Sequence, residues 1–350
     1  MLIPGKPSIQ KTLLIFDDNT SNMIPDKLKK GDVIRVISPS RSLAMPWITD
    51  SIKNEAKRKI ESLGFKVSFG AHIMEINEFN SSDVMSRIND LHDAFADKSV
   101  KAILTSIGGF NSNELLPFID YDLIKRNPKI FCGYSDITAL QNAIYSKTGL
   151  ITYYGPHFFD FGEIKGFDYT LDYFKKCLME EGPFEIKKSE KWSNDRWGKD
   201  QENRTFENNE GFYVVNPGEF NGTIIGGNLV TFHSLLGSEY RPTFKDSVLF
   251  LEEDYDETIY TLNRNLTSLT LQPDFSEVKG IVFGRFQPES KIGEKEIKMI
   301  VKNNSSLSKI PIIGGVDFGH TTPRITFPIG GKVFVSAKAK NKIKIIIEEH

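Results

Sequence analysis

The spacing of apolar and polar residues alternates between two periods along the first half of the chain. Short β-branched apolar runs predict strands at residues 33–37, 66–69, 101–106 and 129–132. Apolar residues at helical spacing predict helices at residues 49–63, 82–96, 114–118 and 136–147. Strands that alternate with helices in this way predict βαβ units, in which a mostly parallel sheet is flanked by helices. Functional sites in such sheets lie at the carboxyl ends of the strands.

The pattern changes near residue 180. Residues 183–221 are polar, rich in Asn and Glu and without a clear period, which is typical of a linker or of an excursion over a site. Beyond them, strands are predicted at closer intervals, at residues 222–225, 247–252, 280–286, 310–314, 332–335 and 342–348. Helical spacing recurs at residues 227–236 and 257–271. We therefore expect a second, smaller and more β-rich α/β domain.

These changes divide the chain into four predicted parts. Residues 1–22 are an N-terminal extension, in which the segment from Thr12 to Phe16 could add a strand. Residues 23–182 are the N-terminal domain, residues 183–221 the polar segment, and residues 222–350 the C-terminal domain.

Composition narrows the classes of function. The formal net charge is −2, so neither a nucleic acid nor an anionic membrane is an expected partner. The two cysteines, Cys132 and Cys177, lie far apart without metal-ligand spacing, which favours a reducing compartment over a disulfide framework. No apolar stretch approaches the ~20 residues that span a bilayer, and no secretory signal is visible. We therefore expect a soluble, cytoplasmic protein.

The turn after the strand at 129–132 carries a candidate nucleophile, Ser135. Its hydroxyl would project from the carboxyl end of the strand, and the first turn of the next helix would present unpaired N–H groups to an oxyanion. The arrangement is similar to a nucleophile elbow, although the second glycine of the G-x-S-x-G motif is missing. The alternative is that Ser135 only caps the helix.

The adjacent glycines Gly108 and Gly109 follow another predicted strand. Such a pair lets the backbone approach a ligand and exposes its N–H groups. Gly109 could supply one oxyanion donor, and the amide of Asp136 another. Two alternatives stay open: a plain tight turn, or the phosphate loop of a nucleotide-binding kinase-like protein. Kinases with a Gly-Gly-Asp-Gly loop need a carboxylate where this chain has Phe110, followed by Asn111.

Two further residues complete a candidate catalytic set. Glu252 ends an apolar strand and begins an acidic cluster, which could equally be solvated or bind a hard cation. His320 follows Gly319 in a loop and is the best placed of the six histidines, with His157 second. A serine nucleophile needs a neutral imidazole within reach, and that imidazole needs an acceptor that holds it. Each of the three residues lies at or after the end of a predicted strand.

The motifs around these residues together resemble the LD-carboxypeptidase and microcin C self-immunity family of serine peptidases. They are Gly-Gly-Phe-Asn (108–111), Gly-Tyr-Ser-Asp-Ile-Thr (133–138), Gly-Gly-Asn-Leu (226–229), Leu-Phe-Leu-Glu (249–252) and Gly-His-Thr-Thr-Pro (319–323). The resemblance runs from about Met23 to the C-terminus. It implies a two-domain α/β fold, a homodimer, and no metal or organic cofactor.

The resemblance also implies roles for single residues. Ser135 would be the nucleophile, Glu252 the acid and His320 the base of a Ser-Glu-His triad. The backbone amides of Gly109 and Asp136 would bind the oxyanion.

The family has two branches with different substrates. One removes D-alanine from the murein tetrapeptide, and the other hydrolyses the bond between a peptide's terminal aspartate and a nucleotide-like group. The polar segment resembles the long loop of the second, microcin-immunity branch, in which a Trp stacks on the nucleobase, and Trp192 fits that position best. We therefore expect a small peptide or peptidyl-nucleotide as the substrate, contacted by Trp192 and Asn111. The murein tetrapeptide is the alternative.

Overall fold

The computed structural model describes residues 22–339 and 342–350, so the strand predicted from Thr12 to Phe16 lies outside the described residues. In the first half, strands and helices alternate. In chain order they are β1 (Val33–Ile37), α1 (Asp50–Ser62), β2 (Lys66–Phe69), α2 (Val84–Ala96), β3 (Val100–Thr105), α3 (Tyr121–Arg126), β4 (Ile130–Gly133), α4 (Thr138–Thr148), β5 (Thr152–Tyr154) and α5 (Asp168–Leu178).

The local sequence explains why these elements begin and end where they do. At the start of α1, the Thr49 side chain accepts a hydrogen bond from the Ile52 amide and caps the helix. Ile52, Ala56 and Ile60 form its buried face, as the apolar spacing predicts. The helix ends before Gly64, whose φ of +94° favours glycine.

The second half is richer in strands. In chain order its elements are β6 (Phe184–Glu185), β7 (Lys191–Trp192), β8 (Glu207–Asn208), β9 (Tyr213–Asn216), β10 (Gly218–Asn228), α6 (Leu229–His233), β11 (Ser247–Glu252), α7 (Ile259–Thr270), β12 (Gly280–Gly284), α8 (Glu294–Asn303), β13 (Ile312–Val316), β14 (Phe327–Ile329), β15 (Lys332–Ala337) and β16 (Ile343–Glu349). The helix predicted at 227–236 is shorter than expected. It begins at Leu229, because β10 extends to Asn228, and it ends at His233.

The strands form two large sheets. The first has the order β14-β5-β4-β3-β1-β2 and is parallel except for β14, which runs antiparallel to β5. The second has the order β6-β16-β15-β10-β11-β12-β13-β9, with a parallel centre from β10 to β13 and antiparallel strands at both edges. The predicted α/β class, with a parallel sheet flanked by helices and a β-rich second part, is confirmed.

The predicted polar segment, residues 183–221, is partly built into the second sheet. β6 pairs with β16 at one edge of the sheet, and β9 pairs with β13 at the other. The last residues of the segment, 218–221, already belong to the interior strand β10. Its middle forms a two-stranded ribbon of β7 and β8. The boundaries of the four predicted parts stay a prediction.

The chain crosses between the two sheets just before β14. β13 and β15 belong to the second sheet, whereas β14 joins the edge of the first. Residues 317–326 therefore run across the junction of the sheets. Helix α4 also spans this junction, because the Asn142 side chain donates to the Gly226 carbonyl (2.7 Å) and accepts from the Gly226 amide (3.1 Å). Among the described residues, no helix is long and apolar enough to cross a membrane.

Candidate active site

Ser135 lies on a sharp turn between β4 and α4. Its φ is +60°, a left-handed conformation that non-glycine residues rarely adopt and that costs about 1–3 kcal/mol. A short 3-10 turn, Ser135–Ile137, leads directly into α4, and the N-cap of α4 is Ile137. Ser135 is therefore not the cap of this helix, and its hydroxyl is turned towards the junction of the two sheets.

Ser135, His320 and Glu252 form one hydrogen-bonded chain. The distance from Ser135 Oγ to His320 Nε2 is 3.0 Å, and that from His320 Nδ1 to Glu252 Oε2 is 2.8 Å. An ionised carboxylate can only accept, so Nδ1 carries the imidazole proton and Nε2 is left to accept the serine hydroxyl. The Glu252 side chain is fully buried at the end of β11, whereas 18% of the His320 side chain is exposed towards the cavity. The structure thus brings together the three residues of the predicted triad.

The pKa of His320 reflects opposing effects. Burial lowers the pKa of His320, and the charge of Arg324 also lowers it. The charge and hydrogen bond of Glu252, together with the charge of Asp254, raise the pKa by more than these two effects lower it. The net pKa lies above that of an ordinary histidine. The surroundings of His320 therefore stabilise the imidazolium that forms when it takes a proton.

The predicted glycine pair forms the wall beside the serine. Gly108, Gly109, Ser135 and His320 all line a cavity of about 480 Å³. A Cβ at Gly108 would lie 3.0 Å from Ser135 Oγ, so only glycine allows the wall to approach the hydroxyl this closely. A Cβ at Gly109 would collide with the Ser40 hydroxyl.

The side chain of Asp136 fastens the turn to two neighbouring loops. Its Oδ2 accepts from the Ser40 hydroxyl (2.5 Å) and from the Ser112 amide (2.9 Å), and the Ser112 hydroxyl donates to the Asp136 carbonyl (2.6 Å). Burial raises the pKa of Asp136, and these hydrogen bonds oppose the rise. The sequence singled out only the backbone amide of this residue, and the structural role of its carboxylate was missed.

Neither of the two predicted substrate contacts lines the cavity. The Asn111 carbonyl accepts from Arg87 Nη1 at 2.9 Å. The ring of Trp192 packs under the Arg285 guanidinium, 4.9 Å from its centroid. Trp197 lines the cavity instead. The two tryptophans are five positions apart in a segment without a period, so spacing alone could not tell which of them faces the site.

Aromatic side chains form one wall of the cavity, which we call the aromatic wall: Trp47, Phe159 and Trp197. Trp197 stacks on Phe159 with ring centroids 4.3 Å apart, and Trp47 meets Phe159 edge-on at 5.1 Å. The basic side chains of Arg41, Arg196 and Lys199 are also among the residues that line the cavity. The sequence did not predict this wall, because its members come from three separate segments.

The polar segment is tied to the loop that carries His320. Asp317, fully buried, accepts from the Ser189 amide (2.8 Å) and from the Asn209 side chain (3.1 Å). Ser193 and Thr322 exchange two backbone hydrogen bonds of 2.7 and 2.9 Å. Residues 193–199 therefore lie over the cavity beside the imidazole.

Two more residues lie at the floor of the cavity: His157, which the sequence ranked second among the histidines, and Arg324, which the sequence analysis missed. His157 Nδ1 is bonded to the Thr105 hydroxyl at 2.7 Å, and burial lowers the pKa of His157 far below the usual value. It is therefore neutral and, unlike His320, makes no hydrogen bond with Ser135 in the structure. Arg324 pairs with Asp160 at 2.6 Å. The signal for Arg324 was a single charge within the otherwise uncharged residues 321–331, since such a charge is seldom buried without a partner.

The acidic cluster that begins at Glu252 has a second buried member. Glu253 accepts from the Asn228 side chain at 3.3 Å, and burial together with the adjacent Glu252 raises the pKa of Glu253 well above its usual value. Among residues 22–339 and 342–350, no three His, Cys, Asp or Glu side chains are grouped so that they could hold a metal ion.

Comparison with known proteins identifies the family. Residues 34–155 match the family model of the LD-carboxypeptidase N-terminal domain, and residues 221–335 match that of the C-terminal domain. YocD of Bacillus subtilis, named as a carboxypeptidase, is 49% identical over 94% of this chain and 100% of its own length. The microcin C7 self-immunity protein MccF of Escherichia coli is 35% identical over 90% of this chain and 93% of its own length.

Solved structures have the same fold. An MccF-like protein from Bacillus anthracis has a TM-score of 0.91 at 51% identity and covers 94% of this chain and 100% of its own. MccF in complex with aspartyl sulfamoyl adenosine has a TM-score of 0.84 at 31% identity, covering 94% of this chain and 99% of its own. The resemblance predicted from the motifs is confirmed. This chain belongs to the LD-carboxypeptidase family and is a hydrolase of the serine peptidase type.

Proposed function

We propose that this enzyme hydrolyses the amide bond that joins an amino acid or short peptide to a nucleotide-like group, with Ser135 as the nucleophile. The observation that supports it is the hydrogen-bonded chain from Ser135 through His320 to Glu252, at 3.0 and 2.8 Å. The resemblance to the microcin-immunity branch suggests the same substrate class.

The reaction follows from the positions of the three side chains. His320 Nε2 accepts the proton of Ser135 as the hydroxyl oxygen attacks the scissile carbonyl, and Glu252 stabilises the resulting imidazolium. The imidazolium then donates this proton to the leaving nitrogen, and the C–N bond breaks. Water, deprotonated by His320, then attacks the acyl carbonyl. The ester bond to Ser135 breaks, the imidazolium returns its proton to the Ser135 oxygen, and the acyl group leaves as a carboxylate.

The oxyanion donors in this proposal are the backbone amides of Gly109 and Asp136. Gly109 is in the wall beside the serine, and Asp136 is the first residue after it. Amides in the residue after a nucleophile and in a neighbouring loop are the usual donors of such elbows. Losing one donor of this kind costs about 10²–10³-fold in kcat.

The lining of the cavity supports a nucleotide-like group in the substrate. The aromatic wall offers Trp197 to a planar base, and stacking of a base on an aromatic ring contributes about 1–3 kcal/mol. Arg41, Arg196 and Lys199 suit an anionic or strongly polar linker. MccF, which has the same fold, binds aspartyl sulfamoyl adenosine. Trp197 replaces Trp192 as the residue that we expect to contact the base.

Two alternatives to this proposal, which the sequence analysis left open, can be distinguished from it by enzyme assays. The family name favours cleavage of the murein tetrapeptide by an LD-carboxypeptidase activity, which uses the same triad. A kinase-like protein would use Gly108 and Gly109 as a phosphate loop and would need ATP and Mg²⁺. The close packing of Gly108 against Ser135 favours hydrolysis instead.

The test compares aspartyl sulfamoyl adenosine with murein tetrapeptide, each with wild type, Ser135→Ala and Trp197→Ala, in the presence of EDTA and without ATP. We expect hydrolysis of the nucleotide analogue, a loss of about 10⁴-fold or more for Ser135→Ala, and a KM raised about 5- to 100-fold for Trp197→Ala. Trp192→Ala is the matched control and should leave KM within about twofold.

Wild-type turnover by Ser135→Ala would exclude the mechanism. Cleavage of the tetrapeptide alone would exclude the substrate class.

The resemblance also predicts that the active form is a homodimer. Light scattering should then give twice the chain mass of 39.7 kDa.

A further inference from the structure

Arg324 is a buried cation at the floor of the cavity, four positions after His320. Only 3% of it is exposed, and its partner Asp160 is 1% exposed. Its Nη1 pairs with Asp160 Oδ1 at 2.6 Å. Its Nε donates to the Gly319 carbonyl at 3.2 Å, and its Nη2 donates to the Thr321 carbonyl at 3.3 Å. These two carbonyls belong to the residues directly before and after His320.

The same guanidinium also contacts the turn that carries the nucleophile. It lies over the ring of Tyr134, 4.5 Å from the centroid, and Tyr134 is the residue before Ser135. The ring of Tyr134 in turn contacts the His320 ring edge-on, with the ring centroids 5.3 Å apart. One cation therefore contacts both neighbours of the base and the neighbour of the nucleophile.

We propose that Arg324 is a positioning residue that holds the His320 loop at hydrogen-bonding distance from Ser135, with Asp160 as its anchor. The inference rests on the proposed function, because it takes Ser135 and His320 as the reacting pair. It adds a requirement: the loop before β14 crosses the junction of the sheets, and the guanidinium fixes where that crossing places the imidazole.

The chemistry of the contacts requires arginine. Three acceptors, one carboxylate and two carbonyls, are bonded by three different nitrogens of a planar fork. A lysine ammonium is a single point on a flexible stem and cannot reach both carbonyls and Asp160 in the same geometry. Small misplacements of a catalytic group cost up to about 10²-fold in rate, so lysine should preserve the charge and lose the positioning.

The charge of Arg324 has a separate, measurable effect on His320. The imidazole faces Glu252 and Asp254 at the end of β11, Arg324 on its own loop, and Tyr134, Ser135 and the neutral His157 from the first sheet. The two carboxylates raise the pKa of His320, and Arg324 lowers it. Removing the Arg324 charge should therefore move the acid limb of the kcat/KM profile to higher pH, and substituting lysine should not.

The experiment uses the full-length chain with aspartyl sulfamoyl adenosine, or with murein tetrapeptide if that is the substrate cleaved. The variants are Arg324→Lys, Arg324→Met, and Asp160→Asn combined with Arg324→Met, which removes the buried carboxylate left without its cation. Arg241→Lys is the control, since Arg241 is also buried and paired with an aspartate, Asp274, but does not line the cavity.

We expect Arg324→Lys to lose about 10- to 100-fold in kcat, with KM within about threefold and the pH midpoint unchanged. Arg324→Met should lose at least as much kcat with its midpoint at higher pH. The double variant should keep the kcat loss while recovering thermal stability, which separates positioning from folding. Labelling of Ser135 by a fluorophosphonate should slow in parallel with kcat.

Wild-type kcat in Arg324→Lys would overturn the inference. So would an equal kcat loss in Arg241→Lys, because the effect would then follow general destabilisation. Ser135→Ala measured alongside separates the two proposals. Activity in Ser135→Ala would contradict the proposed function. An inactive Ser135→Ala together with a fully active Arg324→Lys would contradict only the positioning role.

Discussion

At the scale of single residues, Glu252 determines which tautomer of His320 faces Ser135. Its buried carboxylate accepts from Nδ1 at 2.8 Å, which leaves Nε2 to accept the serine proton. Because it also raises the pKa of His320, the base is protonated at a higher pH than an ordinary histidine. Activity should therefore rise with pH through a midpoint above the ordinary value of about 6.5.

The Glu252→Gln variant tests both effects. We expect kcat at pH 7 to fall by about 10³–10⁴-fold, because an amide can donate to Nδ1 and favour the wrong tautomer. The acid limb of kcat/KM should also move to lower pH, since burial then acts on His320 without the opposing charge. Kinetics between pH 5 and 9 measure both. An unchanged midpoint would contradict the assigned cause of the pKa shift, and an unchanged melting temperature is the control for folding.

The three residues of the hydrogen-bonded chain could be singled out as candidates from the sequence, whereas the residues that pack around them could not. Ser135, Glu252 and His320 each lie at or after the end of an apolar strand in a short motif, so position relative to a strand singled them out. Arg324 and Trp197 carry no such mark. The partners of Arg324 are Asp160, more than a hundred positions away, and Gly319 and Thr321, which are close by in the chain. Only the folded structure shows which residues become its partners.

At the scale of elements, a buried ion pair connects the loop between β7 and β8 to the first half of the chain. Arg204 Nη1 lies 2.7 Å from Glu163 Oε1, both side chains are 1% exposed, and Arg204 also bonds Asp195, which lines the cavity. Burial raises the pKa of Glu163 to about 7, while the charges of Arg204 and Arg324 oppose the rise.

Glu163 should therefore make stability depend on pH. A glutamate in the unfolded chain titrates near about 4.3, so between that value and the folded pKa the folded protein binds more protons than the unfolded one. Stability from this group is present below pH ~4.3 and is lost as pH rises through the folded pKa, by at most about 1.4 kcal/mol per unit. Urea unfolding of wild type and Glu163→Gln from pH 4.5 to 8 should show wild type weakening relative to the variant. The exposed Glu61→Gln is the control, and a constant difference between wild type and Glu163→Gln would refute the prediction.

Several elements were predicted with their observed bounds, and others were missed. β1, β2 and β11 match the sequence prediction because each is a short apolar or β-branched run between polar turns. α5 and β14 were missed. β14 has three residues, one of them a proline, and exists as a strand because it pairs with β5. Pairing with a distant edge leaves no local pattern.

At the scale of the whole molecule, α4 connects the turn of Ser135 to the second sheet. The fully buried Asn142 side chain exchanges two hydrogen bonds with the backbone of Gly226 and donates a third to the Thr138 carbonyl at 2.8 Å. Asn228 continues the contact, since its amide donates to the Thr138 hydroxyl at 3.0 Å. The two sheets thus share one helix next to the triad.

Removing this side chain should affect stability and catalysis together. Asn142→Ala leaves the Gly226 amide without its partner, and we expect a loss of about 1–3 kcal/mol in the free energy of unfolding, with a lower kcat because Ser135 and Glu252 lie on opposite sides of the contact. Asn127→Ala is the matched control, since the Asn127 side chain donates to the Leu123 carbonyl at the end of α3, away from the junction of the sheets. Urea unfolding and kcat of both variants measure the difference. A kcat loss equal in the two would show that the junction does not position the site.

The sequence by itself determined the alternation of strands and helices, the candidate nucleophile, acid and base, and the family. These depend on local periodicity and on short motifs, which each segment carries wherever it lies in space. The tertiary structure decided that β14 crosses to the first sheet, that Trp197 and not Trp192 lines the cavity, and that Arg324 clamps the His320 loop. Each of these depends on contacts between segments distant in the chain, and their free energy appears only when the two sheets pack against each other.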